Sequence, residues 1–164
     1  GRDAGCNLNG VYMLNGAQTA DTTTVIGHAA PGGRSRQMFR GALDGQSRGI
    51  FQGRIAVLKA AQHTDAQQQI KALLLSPGAG QNSKPELEIL ADDVKCAHGA
   101  SVGQLDEAAL FYLRSRGIAE APARAMLIGA FLGEAVSQIA DEPVQQALRE
   151  VIEPWLAQQA VKND

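Results

Sequence analysis

A thiol and an imidazole lie two residues apart in the segment Lys95–Gly103, whose sequence is KCAHGASVG. Residues two apart in an extended strand point to the same face, so Cys96 and His98 are expected to lie side by side. The adjacent Lys95 is expected to lower the pKa of the Cys96 thiol and to favour the thiolate. Thiolate and imidazole are both competent ligands for iron or zinc. The segment therefore predicts a metal site with Cys96 and His98 as ligands.

Two ligands do not complete a metal site. A closed structural zinc site needs four ligands, and the other candidates, Cys6, His28 and His63, are distant in the sequence. A site that is transient or shared across a subunit interface is therefore favoured over one held by this chain alone.

Several alternatives to metal binding remain open for these residues. A single Cys is often a small buried hydrophobe, and a single His often only forms hydrogen bonds. A nucleophilic Cys–His pair is disfavoured because no acid that would orient the imidazole is identifiable. Four carboxylates could serve a β-helix enzyme that cleaves polysaccharides: Glu86, Glu88, Asp92 and Asp93. The first two alternate with aliphatic residues, as a half-buried strand does, which favours a solvated strand.

The elements that must position this segment differ between the two parts of the chain. Most of the 18 Gly residues lie within residues 1–103. There they separate short apolar or β-branched runs, which are typical of strands joined by tight turns. These runs are Val11–Leu14, Thr22–Ile26, Gln37–Leu43, Gly49–Val57 and Ile70–Leu75. The basic residues Arg34, Arg36 and Arg40 are expected to lie in a solvated turn.

A short internal echo suggests how the strands stack. The segment Phe39–Leu43 is echoed by Phe51–Ile55, 12 positions later, with Phe, Gly and an aliphatic residue at matching places. Such an echo is consistent with a solenoid whose coils place apolar residues inward, one above another. Phe39 and Phe51 are then expected to be stacked core residues. An antiparallel sandwich with Gly-rich turns is the alternative.

From Gln104 onward the apolar residues follow a helical period. Asp106 can cap a first helix that ends near Gly117. A second helix is predicted from about Ala121 to Ile139, and a third begins near Glu142. Pro154 is expected to bend or end the third helix. Strands followed by segregated helices predict an α+β fold, with a β-helix core over residues 1–103 and a helical domain over 104–164.

Composition narrows the class of protein. The formal net charge of -2 argues against binding to nucleic acid or to a membrane surface. No apolar stretch approaches the ~20 residues that a membrane span needs. Two cysteines do not make a disulfide framework, so a reducing cytoplasm is expected. No glycine-rich nucleotide-binding motif is present.

Four segments, taken in order and spacing, resemble the SufD family of iron–sulfur cluster assembly proteins. They are FRGALDGQSRGIFQGRI, HTDAQQQIKALLLSPGA, KPELEILADDVKCAHGASVG and LFYLRSRGI, and the resemblance extends over essentially all 164 residues. It implies a right-handed parallel β-helix followed by a small C-terminal helical domain. It also implies a non-catalytic scaffold subunit rather than an enzyme.

The resemblance carries expectations about partners and cofactor. SufD proteins pair with SufB through the β-helix and bind the SufC ATPase through the C-terminal helices. The nascent iron–sulfur cluster is transient and shared with SufB, so no cluster is held stably by this chain alone. His98 corresponds to the implicated ligand, with Cys96 beside it. A β-helix enzyme acting on carbohydrates and a metal-free interaction module remain the alternatives.

The first residue, Gly1, leads directly into strand-like sequence, which is typical of a fragment of a longer protein. A solenoid without a capping unit leaves hydrophobic surface uncovered, so a partner chain or a second copy is expected to cover it. An isolated chain is therefore expected to be able to form a homodimer.

Overall fold

The computed structural model describes residues 1–161, and the expected helical domain's last residues, 162–164, lie outside the described part. Seven strands precede three helices. The strands are β1 (Gly5–Leu14), β2 (Thr19–His28), β3 (Arg34–Leu43), β4 (Arg48–Val57), β5 (Asp65–Leu74), β6 (Gly80–Ile89) and β7 (Lys95–Gly103). The helices are α1 (Glu107–Ser115), α2 (Glu120–Val136) and α3 (Glu142–Val161).

The strands form a parallel β-solenoid of about three turns, as the sequence predicted. One sheet has the order β1-β3-β5-β7 and the other has the order β2-β4-β6, and every pairing between neighbouring strands is parallel. Consecutive strands alternate between the two sheets, so each turn of the solenoid contributes one strand to each sheet. The antiparallel sandwich is therefore excluded, and the α+β fold is confirmed.

The coil repeat is longer than the echo in the sequence suggested. Phe39 of β3 is in register with Ile70 of β5, whereas Phe51 belongs to the opposite sheet. The two phenylalanine rings still meet across the interior, with centroids 4.7 Å apart and planes tilted by 55°. Both side chains are buried, as expected. The 12-residue spacing thus reflects a contact between the two sheets of one turn, and the repeat along one sheet is about 30 residues.

The connections between strands use glycine where the chain turns sharply. Gly45, which follows β3, has a φ of +69°, a conformation that L side chains rarely adopt. A Cβ atom at this position would also lie 3.0 Å from the backbone of Gly16 in the turn below. Close stacking of one turn on the next therefore depends on glycine here.

A second core lies between the first sheet and the helices. Ile128, Leu132 and Val136 on one side of α2 pack with Ala42 of β3 and Ile152 of α3. Trp155, the sole tryptophan, packs against the same cluster. Because α2 covers the outer face of β3, both faces of that strand are buried near its end.

One local expectation about charged residues was wrong, for a physical reason. Arg34, Arg36 and Arg40 lie in strand β3 and not in a turn. Arg40 is 1% exposed, because α2 covers it and Glu134 pairs with its charge. Pro154, which was expected to bend or end the third helix, lies inside α3 and does not end it, since α3 continues to Val161. Asp106 caps α1 as predicted, with its side chain accepting hydrogen bonds from the backbone of Ala108 and Ala109. Across residues 1–161, none of the helices has the length and apolar character needed to cross a bilayer.

Candidate functional site

The segment KCAHGASVG forms β7, the last strand of the first sheet. Cys96 is in register with Ala66 of β5, and His98 is in register with Gln68. Ala66 and Gln68 are both buried in the solenoid interior. Because side chains in register on parallel strands share a face, Cys96 and His98 belong to the inward face of β7.

That inward face is open at the end of the solenoid. The first sheet has four strands, whereas within the described residues the second sheet has three and ends at β6. Nothing equivalent to a fourth strand of the second sheet therefore stands opposite β7. We call the inward face of β7 together with the facing side of β6 the open end. A cleft at the open end is lined by Phe51, Ser83 and Val102, among others.

His98 is exposed at the open end. Over residues 1–161, its side chain has no hydrogen bond or ion pair. Gln68 occupies the equivalent position on β5, one strand below, and is only 2% exposed. His98 is exposed because, within the described residues, no strand of the second sheet lies opposite β7. The imidazole is therefore accessible to a second molecule.

Cys96 lies in a more enclosed position than His98. It is half-buried and packs against a cluster that includes Ile55, Ala66 and Leu87. Burial raises the pKa of the Cys96 thiol, and the negative charge of Asp65 raises it further, although a hydrogen bond with the backbone of Ala66 acts in the opposite direction.

The expectation that Lys95 lowers the pKa of this thiol was wrong. Neighbouring residues of a strand point to opposite faces, so the Lys95 side chain projects away from the Cys96 thiol. The net effect of the surroundings is to disfavour the thiolate. In the isolated chain, His98 is thus the more readily available ligand of the two.

The other potential ligands are placed elsewhere. His28 is buried, with its Nε2 atom 2.9 Å from the Ser35 hydroxyl oxygen. His63 lies on an exposed turn, where its Nδ1 atom is 2.9 Å from Asp93 Oδ2. Cys6 is in β1, at the opposite edge of the sheet from β7. In the described part of the chain, no group of three or more His, Cys, Asp or Glu side chains could hold a metal ion.

Three of the four carboxylates that could have indicated a carbohydrate-cleaving site pair with a basic side chain. Glu88 forms an ion pair with Arg54, and Glu86 Oε1 is 3.0 Å from Lys84 Nζ. Asp93 pairs with His63. Such pairing is typical of a solvated outer face rather than of two carboxylates sharing a catalytic cleft.

Sequence reasoning missed the polar residues inside the solenoid. Gln37 and Gln68 are each 2% exposed and lie in one inward column, in register with each other and then with His98. The signal that could have found them is the start of β3 and of β5, where the second and fourth residues of the strand point inward although they are small or polar. A search for apolar residues treats these positions as exposed and therefore overlooks the inward-pointing glutamines.

Comparison with protein families identifies the chain. Residues 1–131 match the family described as "SUF system FeS cluster assembly, SufBD core domain". The match includes the whole solenoid and extends through α1 into α2. Strand β7, which carries both Cys96 and His98, therefore lies within the core domain of this family.

Curated relatives agree with this assignment. The chain is 43% identical over 140 residues to an iron–sulfur cluster assembly SufBD family protein of Synechocystis, covering 85% of this chain and 31% of that protein. It is 38% identical over 146 residues to the iron–sulfur cluster assembly protein SufD of Escherichia coli, covering 89% and 34%. With SufD of Bacillus subtilis the identity is 35% over 143 residues, covering 87% and 33%. The chain spans about a third of the length of these relatives. The resemblance to SufD is thereby confirmed, and the chain belongs to the SufBD family of iron–sulfur cluster assembly proteins.

Proposed function

We propose that this chain is a non-catalytic scaffold subunit that helps to build a nascent iron–sulfur cluster at its interface with a partner subunit. The observation that carries the proposal is the exposure of His98 on a face of the solenoid that is otherwise inward and buried. An imidazole held at an edge, with no hydrogen bond or ion pair to residues 1–161, is suited to a site that a second chain completes. Membership of the SufBD family, whose model is described as belonging to FeS cluster assembly, indicates that the metal-containing cargo is an iron–sulfur cluster.

The residues at the open end fit iron as cargo. Imidazole nitrogen and thiolate sulfur are both common ligands of iron in clusters. Cys96 and His98 supply at most two of the four ligands typical of a cluster, so the partner must supply the rest. The raised pKa of the Cys96 thiol makes His98 the principal ligand and Cys96 the secondary one. The cluster is transient and is not held stably by this chain alone.

SufB is the proposed partner at the open end, through the β-helix. Strand β7 is the edge of its sheet, and an edge strand offers unpaired backbone groups to another chain. Val102, on the same strand, is 47% exposed and would be buried by such a partner. The site of action is then the cytoplasm, where free thiols stay reduced.

The SufC ATPase is the proposed partner of the helical domain, residues 104–164. Phe111 of α1 is 74% exposed and Tyr112 is 55% exposed. Aromatic residues of this kind are enriched at the centres of protein interfaces. Through α2, which packs on the outer face of β3, movement of SufC could reach the strands that hold the site.

The test compares two exposed histidines in the assembled complex. The full protein with His98→Ala is expected to bind SufB and SufC normally but to lose cluster formation on anaerobic reconstitution with iron and sulfide. The matched control is His63→Ala, which removes an exposed imidazole from a turn and should leave cluster formation intact. Cluster content is followed by visible absorption and by iron and sulfide analysis. Normal cluster formation in His98→Ala would refute the proposed ligand and favour a metal-free interaction module.

A second copy of this chain could also cover the open end when SufB is absent. A symmetric homodimer that uses β7 would imitate the heterodimer. Light scattering of the isolated chain should then give the dimer mass, and added SufB should dissociate it. A clean monomer over a range of concentrations would dismiss the homodimer.

A further inference from the structure

The side chain of Gln68 is buried but unsatisfied. It lies on the inward face of β5 and is 2% exposed, and neither Nε2 nor Oε1 has a hydrogen-bond partner within the described residues. Leaving a buried donor or acceptor unpaired destabilises the folded state, because the group loses its hydrogen bonds to water without replacement. An apolar residue of similar size would avoid this cost, so the amide requires an explanation.

The surroundings of Gln68 leave few polar groups within its reach. Below it in the column is Gln37, whose Oε1 atom accepts a hydrogen bond of 2.9 Å from the Thr24 hydroxyl and whose Nε2 atom, like the amide of Gln68, has no partner within the described residues. In the opposite sheet is Gly53, where a Cβ atom would lie only 2.3 Å from Gln68 Nε2. Above it in the column is His98. The amide thus occupies space that a glycine leaves free, one strand below the imidazole.

We propose that Gln68 is a positioning residue for His98: after a small rotation of the two side chains, a ring N–H of His98 donates a hydrogen bond to the unpartnered side-chain oxygen of Gln68. Neighbouring strands lie about 5 Å apart, so side chains in register on one face can meet by a small tilt. With one ring nitrogen engaged in this way, the lone pair of the other nitrogen is free and points to the open end. This inference rests on the proposed function of His98 as a ligand.

The chemistry of a metal-binding histidine supports a residue in this role. An imidazole binds a metal through the nitrogen without a proton, and an acceptor for the opposite N–H fixes both the tautomer and the ring orientation. A carboxamide does this without adding a charge inside the solenoid, where an unpaired carboxylate would be costly. Loss of such an outer partner typically weakens metal binding by about 10-fold to 100-fold.

The first experiment reads the tautomer of His98 without any metal. The chain has three histidines, so labelling histidine with 15N gives a simple spectrum in which His28 and His63 act as internal references. Gln68→Met keeps the size of the side chain and removes the acceptor. We expect the ring nitrogens of His98 to shift toward the values of a free histidine in this variant.

Two further variants make this result specific. Gln37→Met removes the equivalent buried amide one strand farther from His98, and it should leave the His98 nitrogens unchanged. Gln68→Glu retains an acceptor oxygen and should restore the tautomer seen in the unsubstituted chain. Unchanged His98 nitrogens in Gln68→Met, or an equal change in Gln37→Met, would overturn the inference.

The second experiment separates this inference from the proposed function. In the complex with SufB and SufC, Gln68→Met should reduce the affinity for iron by about 10-fold to 100-fold, whereas Gln37→Met should not. If His98→Ala still builds the cluster while Gln68→Met changes the tautomer, the ligand proposal fails and the positioning role stands. If His98→Ala abolishes the cluster while Gln68→Met alters neither the tautomer nor the affinity, only the positioning role fails.

Discussion

The buried guanidinium of Arg40 on β3 forms an ion pair with the half-exposed carboxylate of Glu134 on α2, and the Nη2 and Oε2 atoms are 2.8 Å apart. The Arg40 Nε atom also donates to Glu134 Oε2 at 2.9 Å, so both hydrogen bonds converge on one oxygen. Arg40 also donates to Gln69 of β5, the neighbour of Gln68 along the strand. One buried cation thus links a helix to two strands of the first sheet.

Breaking this link should destabilise the fold. Arg40 is 1% exposed, so Glu134→Ala leaves a buried guanidinium with only neutral partners. Removing the partner of a buried charge lowers the free energy of unfolding by several kcal/mol when both groups are buried. Because the Glu134 side chain is half exposed, we expect a smaller loss of about 1–3 kcal/mol. Urea denaturation should show the loss of unfolding free energy.

A double variant and a surface control complete this test. Arg40→Met with Glu134→Ala removes both charges and should be less destabilised than the sum of the two single variants. Glu120→Ala breaks an exposed pair with Arg114 and should cost less than about 1 kcal/mol. Strictly additive effects at Arg40 and Glu134 would contradict the coupling.

The contact between Phe39 and Phe51 should dominate the stability of the solenoid interior. Phe51 is 1% exposed and joins the two sheets through its ring. Phe51→Ala should lower the free energy of unfolding by about 3–5 kcal/mol, because it removes buried area and leaves a cavity. Phe111→Ala is the matched control, since Phe111 is 74% exposed, and its effect should stay within about 0.5 kcal/mol. Similar losses in both variants would contradict the placement of Phe51 in the core.

The apolar parts of the strands were predictable from the sequence, whereas their beginnings were not. The run Val11–Leu14 lies within β1, and Thr22–Ile26 lies within β2. Both strands begin several residues earlier, where polar residues such as Asn7, Asn9 and Asp21 interrupt the apolar pattern that a search for apolar runs detects. In a solenoid, parallel pairing with the turn below extends a strand over such residues, because backbone hydrogen bonds do not depend on side-chain type.

The site was predictable only in part, for a related reason. The C-x-H spacing correctly placed Cys96 and His98 on one face of a strand. Their different exposure depends on where the second sheet ends, which no local pattern reveals. The role proposed for Gln68 depends on a residue 30 positions away in the sequence that lies beside it in the fold. Contacts between turns of this kind require the register of the strands.

The stability of the chain should fall between pH 7 and pH 5 because of His28. Burial lowers the pKa of His28 below its ordinary value of 6.5. Well above pH 6.5 this imidazole is neutral in both the folded and unfolded states, so it contributes no pH dependence there. Below pH 6.5 the unfolded chain binds a proton that the folded chain does not, so the free energy of unfolding decreases as the pH falls. One such group contributes a slope of at most about 1.4 kcal/mol per pH unit.

Two substitutions identify His28 as the origin of this slope. His28→Gln cannot titrate, so its urea denaturation midpoint should depend less on pH in this range. Ser35→Ala removes the hydroxyl that His28 contacts but keeps the imidazole, so the slope should persist. The lowered pKa of Asp65, caused mainly by its hydrogen bond to Arg36, lies below the ordinary value of 3.8 and acts only at more acidic pH. An unchanged slope in His28→Gln would contradict the assignment.

The two thiols of the chain should react at different rates. Cys6 is exposed, whereas Cys96 is half-buried and has a raised pKa because of its burial. Alkylation requires the thiolate and access to it, so iodoacetamide at pH 7.5 should modify Cys6 faster than Cys96, as measured by mass spectrometry of the two peptides. The difference should vanish in urea, where both thiols are solvated. Equal or faster modification of Cys96 in the folded chain would contradict the enclosure of this thiol. If SufB covers the open end, its addition should slow the reaction of Cys96 further and leave that of Cys6 unchanged, because the two residues lie at opposite edges of the same sheet.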